Sequence, residues 1–102
     1  MKYLLLTKHR AWFKTLPRET VVAAREYIRE KKKSGVIESI YVFPGGGGMT
    51  VFNADSHEHL MEMLTAYPLF SAVEFEVRPL AEVESYFRLA LGEGKAKKGV
   101  RR

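Results

Sequence analysis

The chain has 102 residues and a mass of 11.7 kDa; 46% of its residues are hydrophobic and 28% are charged. This length fits one compact domain and excludes a second domain of ordinary size. Because cysteine is absent, the chain forms neither disulfides nor thiolate-bound zinc, and a cytoplasmic location is favoured. The apolar stretch 3–6 is too short to span a bilayer or to act as a signal peptide.

The net charge of +5 comes from the end of the chain. Five of the seventeen basic residues follow residue 94, so residues 1–94 carry twelve basic and twelve acidic residues. We therefore predict a single domain over residues 1–92 and a basic, disordered tail over residues 93–102. The tail is interpreted as a solubilising segment, so neither nucleic acid nor a membrane is the expected partner.

The first predicted element is a buried strand over residues 2–8, which are apolar but too few for a helix. Residues 18–34 have apolar side chains at helical spacing, with Thr15 as a candidate cap and Gly35 as the stop. The β-branched and aromatic residues at 36–43 then predict a second strand.

The second strand is apolar on both faces. Strict alternation places Ile37, Tyr41 and Phe43 on one face and Val36, Ile40 and Val42 on the other. Since the predicted helices cover one face of the sheet only, we expect a second copy of the chain to cover the other.

The second half of the chain begins with a glycine-rich hairpin turn at 45–48. Periodicity and flanking turn residues predict four further elements: a strand over 49–53, a helix that begins at Asp55 or Ser56, a strand over 72–78 and a helix over 80–91. The complete order β-α-β-β-α-β-α is the ferredoxin-like arrangement with one extra C-terminal helix, built on an antiparallel sheet.

The segment Tyr67-Pro68-Leu69-Phe70, followed at once by the alternating strand 72–77, resembles the muconolactone isomerase family. The resemblance extends over most of positions 2–80. It implies a dimeric α+β barrel, in some members a larger assembly of dimers. It also implies an enzyme that moves a double bond in an unsaturated lactone of aromatic degradation by proton transfer, without cofactor or metal.

Three residues are candidate acid-base groups. The resemblance implies a carboxylate on the first helix, and counting back from Gly35 identifies Glu26. Glu74, with Glu76 beside it, lies on the polar face of the last strand, where partial desolvation against a partner chain would suit proton transfer. His9 follows the first strand, and an imidazole suits acid-base work near neutral pH.

Five residues are candidate substrate-binding groups. Trp12 and Phe13, in the connection after the first strand, are placed to stack on a flat ligand, while Lys8 or Arg10 holds its carboxylate. Tyr41, on the second strand, is a candidate donor to a developing oxyanion.

Two other motifs do not support a cofactor. His57 and His59 are two residues apart on a predicted helix, which points them in different directions and does not favour a metal site. The glycines at 45–48 join two strands and lack the lysine and helix of a phosphate-binding loop. No metal or cofactor is therefore expected.

The leading hypothesis is a cofactor-independent, isomerase-like enzyme that transfers a proton in a small unsaturated lactone or aromatic-derived acid. One alternative is a non-catalytic dimeric barrel that binds a small hydrophobic ligand or acts as an assembly module. Another is a cofactor-free monooxygenase or a haem-handling protein on the same fold, because a fold does not determine its chemistry.

Overall fold

The computed structural model describes residues 1–10 and 15–93. The predictions for Trp12 and Phe13, and those for the tail beyond Glu93, lie outside these residues. The strands are β1 (Lys2–His9), β2 (Ile37–Val42), β3 (Gly48–Asn53) and β4 (Val73–Leu80), and the helices are α1 (Arg18–Lys33), α2 (His57–Thr65) and α3 (Val83–Ala90). A single turn of 3₁₀ helix at Phe70–Ala72 precedes β4.

The four strands form one antiparallel sheet in the order β2-β3-β1-β4. This order and the succession of helices confirm the predicted ferredoxin-like α+β fold with an extra C-terminal helix. β1 lies in the interior of the sheet, where the apolar character of residues 3–6 predicts it.

Local signals determine where the helices begin and end. Gly35 adopts a φ of +85° after α1, a conformation that favours glycine. Ser56, rather than Asp55, caps α2, because its hydroxyl accepts a hydrogen bond from the His59 amide at 3.0 Å. Pro17, rather than Thr15, occupies the N-cap position of α1.

The core lies between the sheet and helices α1 and α2. Tyr3 and Leu5 of β1 are each 1% exposed, since alternate residues of this strand face the helices. Other side chains of the core cluster come from β2, β3, the residue that follows β3, and α2, and they are Ile37, Phe52, Ala54, Leu60, Met63 and Leu64.

The prediction of which residues share a face of the second strand is wrong. A bulge between Ile37 and Ser39 interrupts the pairing of β2 with β3. The extra residue shifts the alternation, so that Ile40 pairs with the buried Thr50 and lies on the same face as Ile37. Tyr41 consequently lies on the opposite face from Ile37.

The face of the sheet away from the core remains partly exposed in the single chain. Leu4, Leu6 and Val51 have intermediate exposure there. The helix α3 buries none of its residues, although its apolar side chains include Phe87. No helix among the described residues is long and apolar enough to cross a membrane.

Candidate functional site

A cavity of about 110 Å³ lies between the sheet and helices α1 and α2. Most of its wall is apolar, and the larger contributors include Leu5, Ile28, Phe52, Leu64 and Phe75. The volume approaches the ~150 Å³ of an engineered protein cavity that binds benzene. One small ring therefore matches the size of this cavity.

The β2–β3 hairpin approaches the end of β1 at one side of the cavity. A Cβ atom at Gly47 would collide with the backbone carbonyl of Thr7, and one at Gly48 would lie 2.6 Å from the carbonyl oxygen of Tyr41. The Thr7 hydroxyl donates a hydrogen bond of 3.3 Å to the Gly48 carbonyl. Part of the glycine run is thus required for close packing beside the cavity.

Two tyrosines from the helical layer line the cavity. Tyr27 lies on α1 and Tyr67 follows α2, and their ring centroids are 5.4 Å apart. The Tyr27 hydroxyl donates a hydrogen bond to the carbonyl of Met63. Burial raises the pKa of Tyr67, and burial together with the nearby Glu30 carboxylate raises the pKa of Tyr27. Both phenols therefore keep their protons at neutral pH.

The sheet contributes hydroxyl groups to the same cavity. Thr50 of β3 lies in its wall, is 7% exposed and pairs with Leu5 in the ladder. The lining residues within ranges 1–10 and 15–93 include no aspartate, glutamate, lysine or arginine. The described wall thus presents an apolar surface with hydroxyl groups and one imidazole.

That imidazole belongs to His9, the last residue of β1. His9 pairs with Val73 across the ladder and lines the cavity, while the residue as a whole remains exposed. An imidazole can accept and return a proton at neutral pH. His9 is the one predicted acid-base residue that borders this cavity in the part of the chain that the structure describes.

A second depression adjoins the cavity and shares Leu64, Val73 and Phe75 with it. Arg10 and Glu74 line this depression, with the guanidinium Nε 3.6 Å from the carboxylate oxygen. Both side chains are more than half exposed. The structure therefore places the cation of Arg10 beside the cavity and outside its wall.

The acidic candidates lie on exposed surfaces. Glu26 projects from α1 and forms an ion pair of 3.2 Å with Arg29. Glu76 pairs with Arg78 on β4, and its side chain is 56% exposed. Like these two, Glu74 is absent from the cavity wall. In the single chain the structure does not bring these carboxylates together with His9 around one cavity.

The remaining predicted binding residues, Lys8 and Tyr41, both lie on the face of the sheet away from the core. Lys8 pairs with Glu74 in the ladder, on the face away from the helices. Tyr41 borders the cavity but is 68% exposed. The predicted set thus separates into a cavity edge, formed by His9 and Tyr41, and a charged surface, formed by Lys8, Arg10 and Glu74.

The two histidines of α2 contact neighbouring groups of the chain. His57 Nδ1 lies 2.5 Å from the hydroxyl of the buried Tyr3, and their rings meet edge to face. His59 Nδ1 accepts a hydrogen bond of 3.0 Å from the Asp55 amide. Both imidazoles therefore connect the start of α2 to adjacent parts of the fold.

Four polar residues of the described cavity wall, Thr7, Tyr27, Thr50 and Tyr67, were not among the predicted site residues. Thr7, Tyr27 and Thr50 lie on β1, α1 and β3, within elements that the sequence predicts but does not single out as parts of a site. Tyr67 immediately precedes the Pro-Leu-Phe turn that carries the family resemblance, which is the sequence signal that could have identified it. The positions of the other three at the cavity depend on contacts between distant elements, which spacing along the chain does not indicate.

Comparisons with solved structures support the fold. A crystal structure of muconolactone isomerase superposes with a TM-score of 0.71 at 20% identity, covering 80% of this chain and 90% of the other. A 5-chloro-2-hydroxyhydroquinone dehydrochlorinase from Burkholderia phenoliruptrix AC1100, in complex with 2,5-dihydroxybenzoquinone, superposes with a TM-score of 0.69 at 15% identity. It covers 83% of this chain and 98% of the other. Curated protein sequences gave no match.

The sequence model of one family matches the chain directly. That family is described as muconolactone delta-isomerase, and the match covers residues 9–85. These residues include β1's last position, the cavity-lining parts of α1 and β3, and all of β4. Because the match extends over well more than half of the sequence, this chain belongs to the muconolactone delta-isomerase family.

Proposed function

We propose that the chain is a cofactor-independent enzyme that transfers a proton within a single-ring unsaturated lactone or a related aromatic-derived acid. Membership of the muconolactone delta-isomerase family supports an isomerase-like reaction. The structurally similar dehydrochlorinase was solved with 2,5-dihydroxybenzoquinone, itself a single-ring compound. The observation that carries the proposal is the cavity of about 110 Å³, which matches one ring and has an imidazole at its edge.

In the proposed reaction, His9 accepts a proton from a ring carbon next to a carbonyl group. The electron pair of the broken C–H bond moves into the ring, and the carbonyl oxygen acquires the negative charge of an enolate. A hydroxyl donor stabilises this oxygen. His9 then returns the proton to the other end of the conjugated system, so the double bond moves and no electrons are gained or lost.

A carboxylate on the substrate would extend out of the cavity. Burying an unpaired carboxylate in an apolar wall is costly, and the described wall holds no cation. The guanidinium of Arg10 lies in the adjoining depression and can form a charge-assisted hydrogen bond with the carboxylate there. We propose Lys8, Tyr41, Trp12 and Phe13 as further contacts at the entrance.

Glu26 and Glu74 are the alternative bases. Glu26 forms an ion pair with Arg29 on the outer surface of α1, and this ion pair would have to open before Glu26 could act as the base. Glu74 lies beside Arg10 on the face of the sheet that we expect a second copy to cover. A base at Glu74 would therefore act in an assembled dimer rather than in the single chain.

We also propose that two copies pack through the exposed face of the sheet. Leu4, Leu6 and Val51 form an apolar centre on that face, and charged residues of β1 and β4 surround it. Stable interfaces commonly combine an apolar centre with a polar rim. Two facing sheets would complete the dimeric α+β barrel that the sequence resemblance implies.

Proton exchange measures the reaction without a known substrate. A panel of unsaturated lactones and enol acids is incubated with the protein in deuterated water, and deuterium incorporation is followed by NMR. We expect exchange above the uncatalysed rate for at least one single-ring compound. His9→Gln should reduce that rate by roughly 10²–10⁴-fold while binding persists, because a base acts mainly in the transition state.

His59→Gln is the matched control, since His59 lies outside the cavity wall and should leave the rate unchanged. Glu26→Gln and Glu74→Gln test the alternative bases by the same measurement. If wild-type protein binds these compounds and exchange stays at the uncatalysed rate, the enzyme proposal is wrong. The non-catalytic ligand-binding barrel would then describe the protein.

A further inference from the structure

Tyr27 and Tyr67 use their hydroxyl groups differently. The amide of Tyr67 donates to the Leu64 carbonyl, so the Met63 carbonyl is one of those that the end of α2 leaves without an amide partner. The Tyr27 hydroxyl donates to this Met63 carbonyl. Its proton is therefore already engaged in holding α1 to α2.

The Tyr67 hydroxyl makes no hydrogen bond to any described residue, although the residue is half-buried and its ring lies against that of Tyr27. No fully buried side-chain nitrogen or oxygen of the described residues lacks a partner. The Tyr67 hydroxyl therefore keeps some accessible surface, and Tyr67 is one of the residues that line the cavity. This group is an available donor on the helical side of the cavity.

Thr50 supplies a comparable group from the sheet. Its side chain is 7% exposed and lies in the cavity wall, and its hydroxyl has no hydrogen-bond partner within residues 1–10 and 15–93. By the same reasoning this hydroxyl also keeps some accessible surface. Two unengaged hydroxyls thus come from opposite layers of the fold.

The surroundings of these hydroxyls restrict the ligand group that they can bind. The described wall offers no cation to balance a charged oxygen. An uncharged carbonyl or hydroxyl oxygen needs only a hydrogen-bond donor, which either group supplies. Because burial raises the pKa of Tyr67, its phenol remains a donor at neutral pH.

We propose that Tyr67, together with Thr50, is a specificity-determining residue that hydrogen-bonds an uncharged carbonyl or hydroxyl oxygen on a single ring held in the cavity. The choice of a lactone or quinone-like ring rests on the proposed function. The hydrogen bond affects ligand binding only, so it can be tested whether or not the protein catalyses a reaction. In the proposed substrate, the ring enters with this oxygen first, and any carboxylate remains outside near Arg10.

Phenol and toluene test the hydrogen bond, since they have nearly the same shape and differ in one hydroxyl. Both are titrated into the intact protein, and dissociation constants are measured by protein-observed NMR. Tyr67→Phe should weaken phenol binding about 3- to 10-fold, the usual effect of one neutral hydrogen bond, and should leave toluene binding unchanged. Thr50→Val should act in the same direction.

Tyr86→Phe is the matched control, because Tyr86 lies on α3 and is 65% exposed. It should change neither dissociation constant. Equal weakening of phenol and toluene by Tyr67→Phe would indicate a change of cavity shape and overturn the proposal. Unchanged phenol binding in Tyr67→Phe would overturn it as well, whatever the effect of Thr50→Val.

The two proposals fail in distinguishable ways. If wild-type protein catalyses no exchange but prefers phenol through Tyr67, the catalytic function is wrong and the recognition by Tyr67 stands. If exchange occurs and depends on His9 while Tyr67→Phe changes neither phenol binding nor KM, the recognition is wrong and the catalytic function stands.

Discussion

The two faces of the sheet differ in how their apolar side chains are covered. On the face toward α1 and α2, Tyr3 and Leu5 are each 1% exposed in the core, and Leu5 also lines the cavity. On the other face, Leu4 and Leu6 of the same strand keep intermediate exposure, and charged residues flank them. One strand therefore contributes both to a completed core and to a surface that is incomplete in the single chain.

Because of this difference, we expect one face to determine the stability of the single chain and the other to determine its assembly. Residues on the helix-covered face determine whether the single chain folds, because their burial is already complete. Residues on the other face have apolar area left to bury, and a second copy would bury it. Substitutions on the two faces should consequently affect different measurements.

The largest expected effect is the loss of core packing on the helix-covered face. Leu5→Ala should lower the free energy of unfolding by about 2–5 kcal/mol, since it removes a fully buried side chain and leaves a void. Leu6→Ala, at the next position on the other face, should cost about half of that or less. Urea unfolding measures both, and equal losses would contradict the comparison.

A charge at the centre of the exposed face should disrupt assembly. Val51→Lys places an ammonium group opposite Leu4, where a second copy is expected to pack. Light scattering of wild-type protein should give at least twice 11.7 kDa, and the variant should approach 11.7 kDa. Met61→Lys is the control, because Met61 is 60% exposed on α2 and should leave the mass unchanged. A wild-type mass of 11.7 kDa would remove the barrel from consideration.

Within the helix-covered face, the two cavity tyrosines should differ in their contribution to stability. Tyr27→Phe should lower the free energy of unfolding by about 0.5–1.5 kcal/mol, since it leaves the Met63 carbonyl without its donor. Tyr67→Phe should have little effect, because its hydroxyl bonds to no described residue. Thermal unfolding compares the two, and a larger loss for Tyr67→Phe would contradict the assignment of their hydroxyls.

The smallest effect is expected at the edge of the sheet. Glu38 follows Ile37 at the bulge of β2, and its carboxylate lies 3.0 Å from the ammonium of Lys2. Hydrogen bonds from Lys2 and Asn53 lower the pKa of Glu38 below its ordinary value of 4.5. The contribution of this pair to stability is therefore present above that value and is lost as the pH falls through the lowered pKa.

Glu38→Gln measures that contribution. At neutral pH the variant should melt slightly below the wild type, and the difference should vanish in acid once the wild-type carboxyl is protonated. The effect should be small, because solvent screens exposed ion pairs. If the difference in melting temperature grew as the pH fell, the predicted direction of the pH dependence would be wrong.

The order of elements followed from local features of the sequence. Glycine at position 35, a hydroxyl at Ser56 and the alternation of the last strand each act within a few neighbouring residues. Such signals specify where helices and strands begin and end, and they predicted the ferredoxin-like arrangement. The Pro-Leu-Phe turn after Tyr67 indicated the family. The match of the family model over residues 9–85 shows the same family independently.

The candidate site was only partly predictable. His9 and Tyr41 were named and do border the cavity, whereas Glu26 and Glu74 are exposed elsewhere. The sequence places a carboxylate on a helix, but the rotation of that helix against the sheet decides whether the carboxylate reaches a cavity. That rotation depends on packing across the whole core.

By itself, the sequence determined the elements, their order and the apolar face of each regular strand, because these depend on spacing along the chain. The bulge of β2, which places Tyr41 and Ile37 on opposite faces instead of the shared face that alternation predicts, arises from pairing with β3 and so required the tertiary structure. The meeting of Tyr27 and Tyr67, forty positions apart, required it equally. Contacts between distant elements depend on how helices pack on the sheet, and the local periodicity of the sequence does not predict that packing.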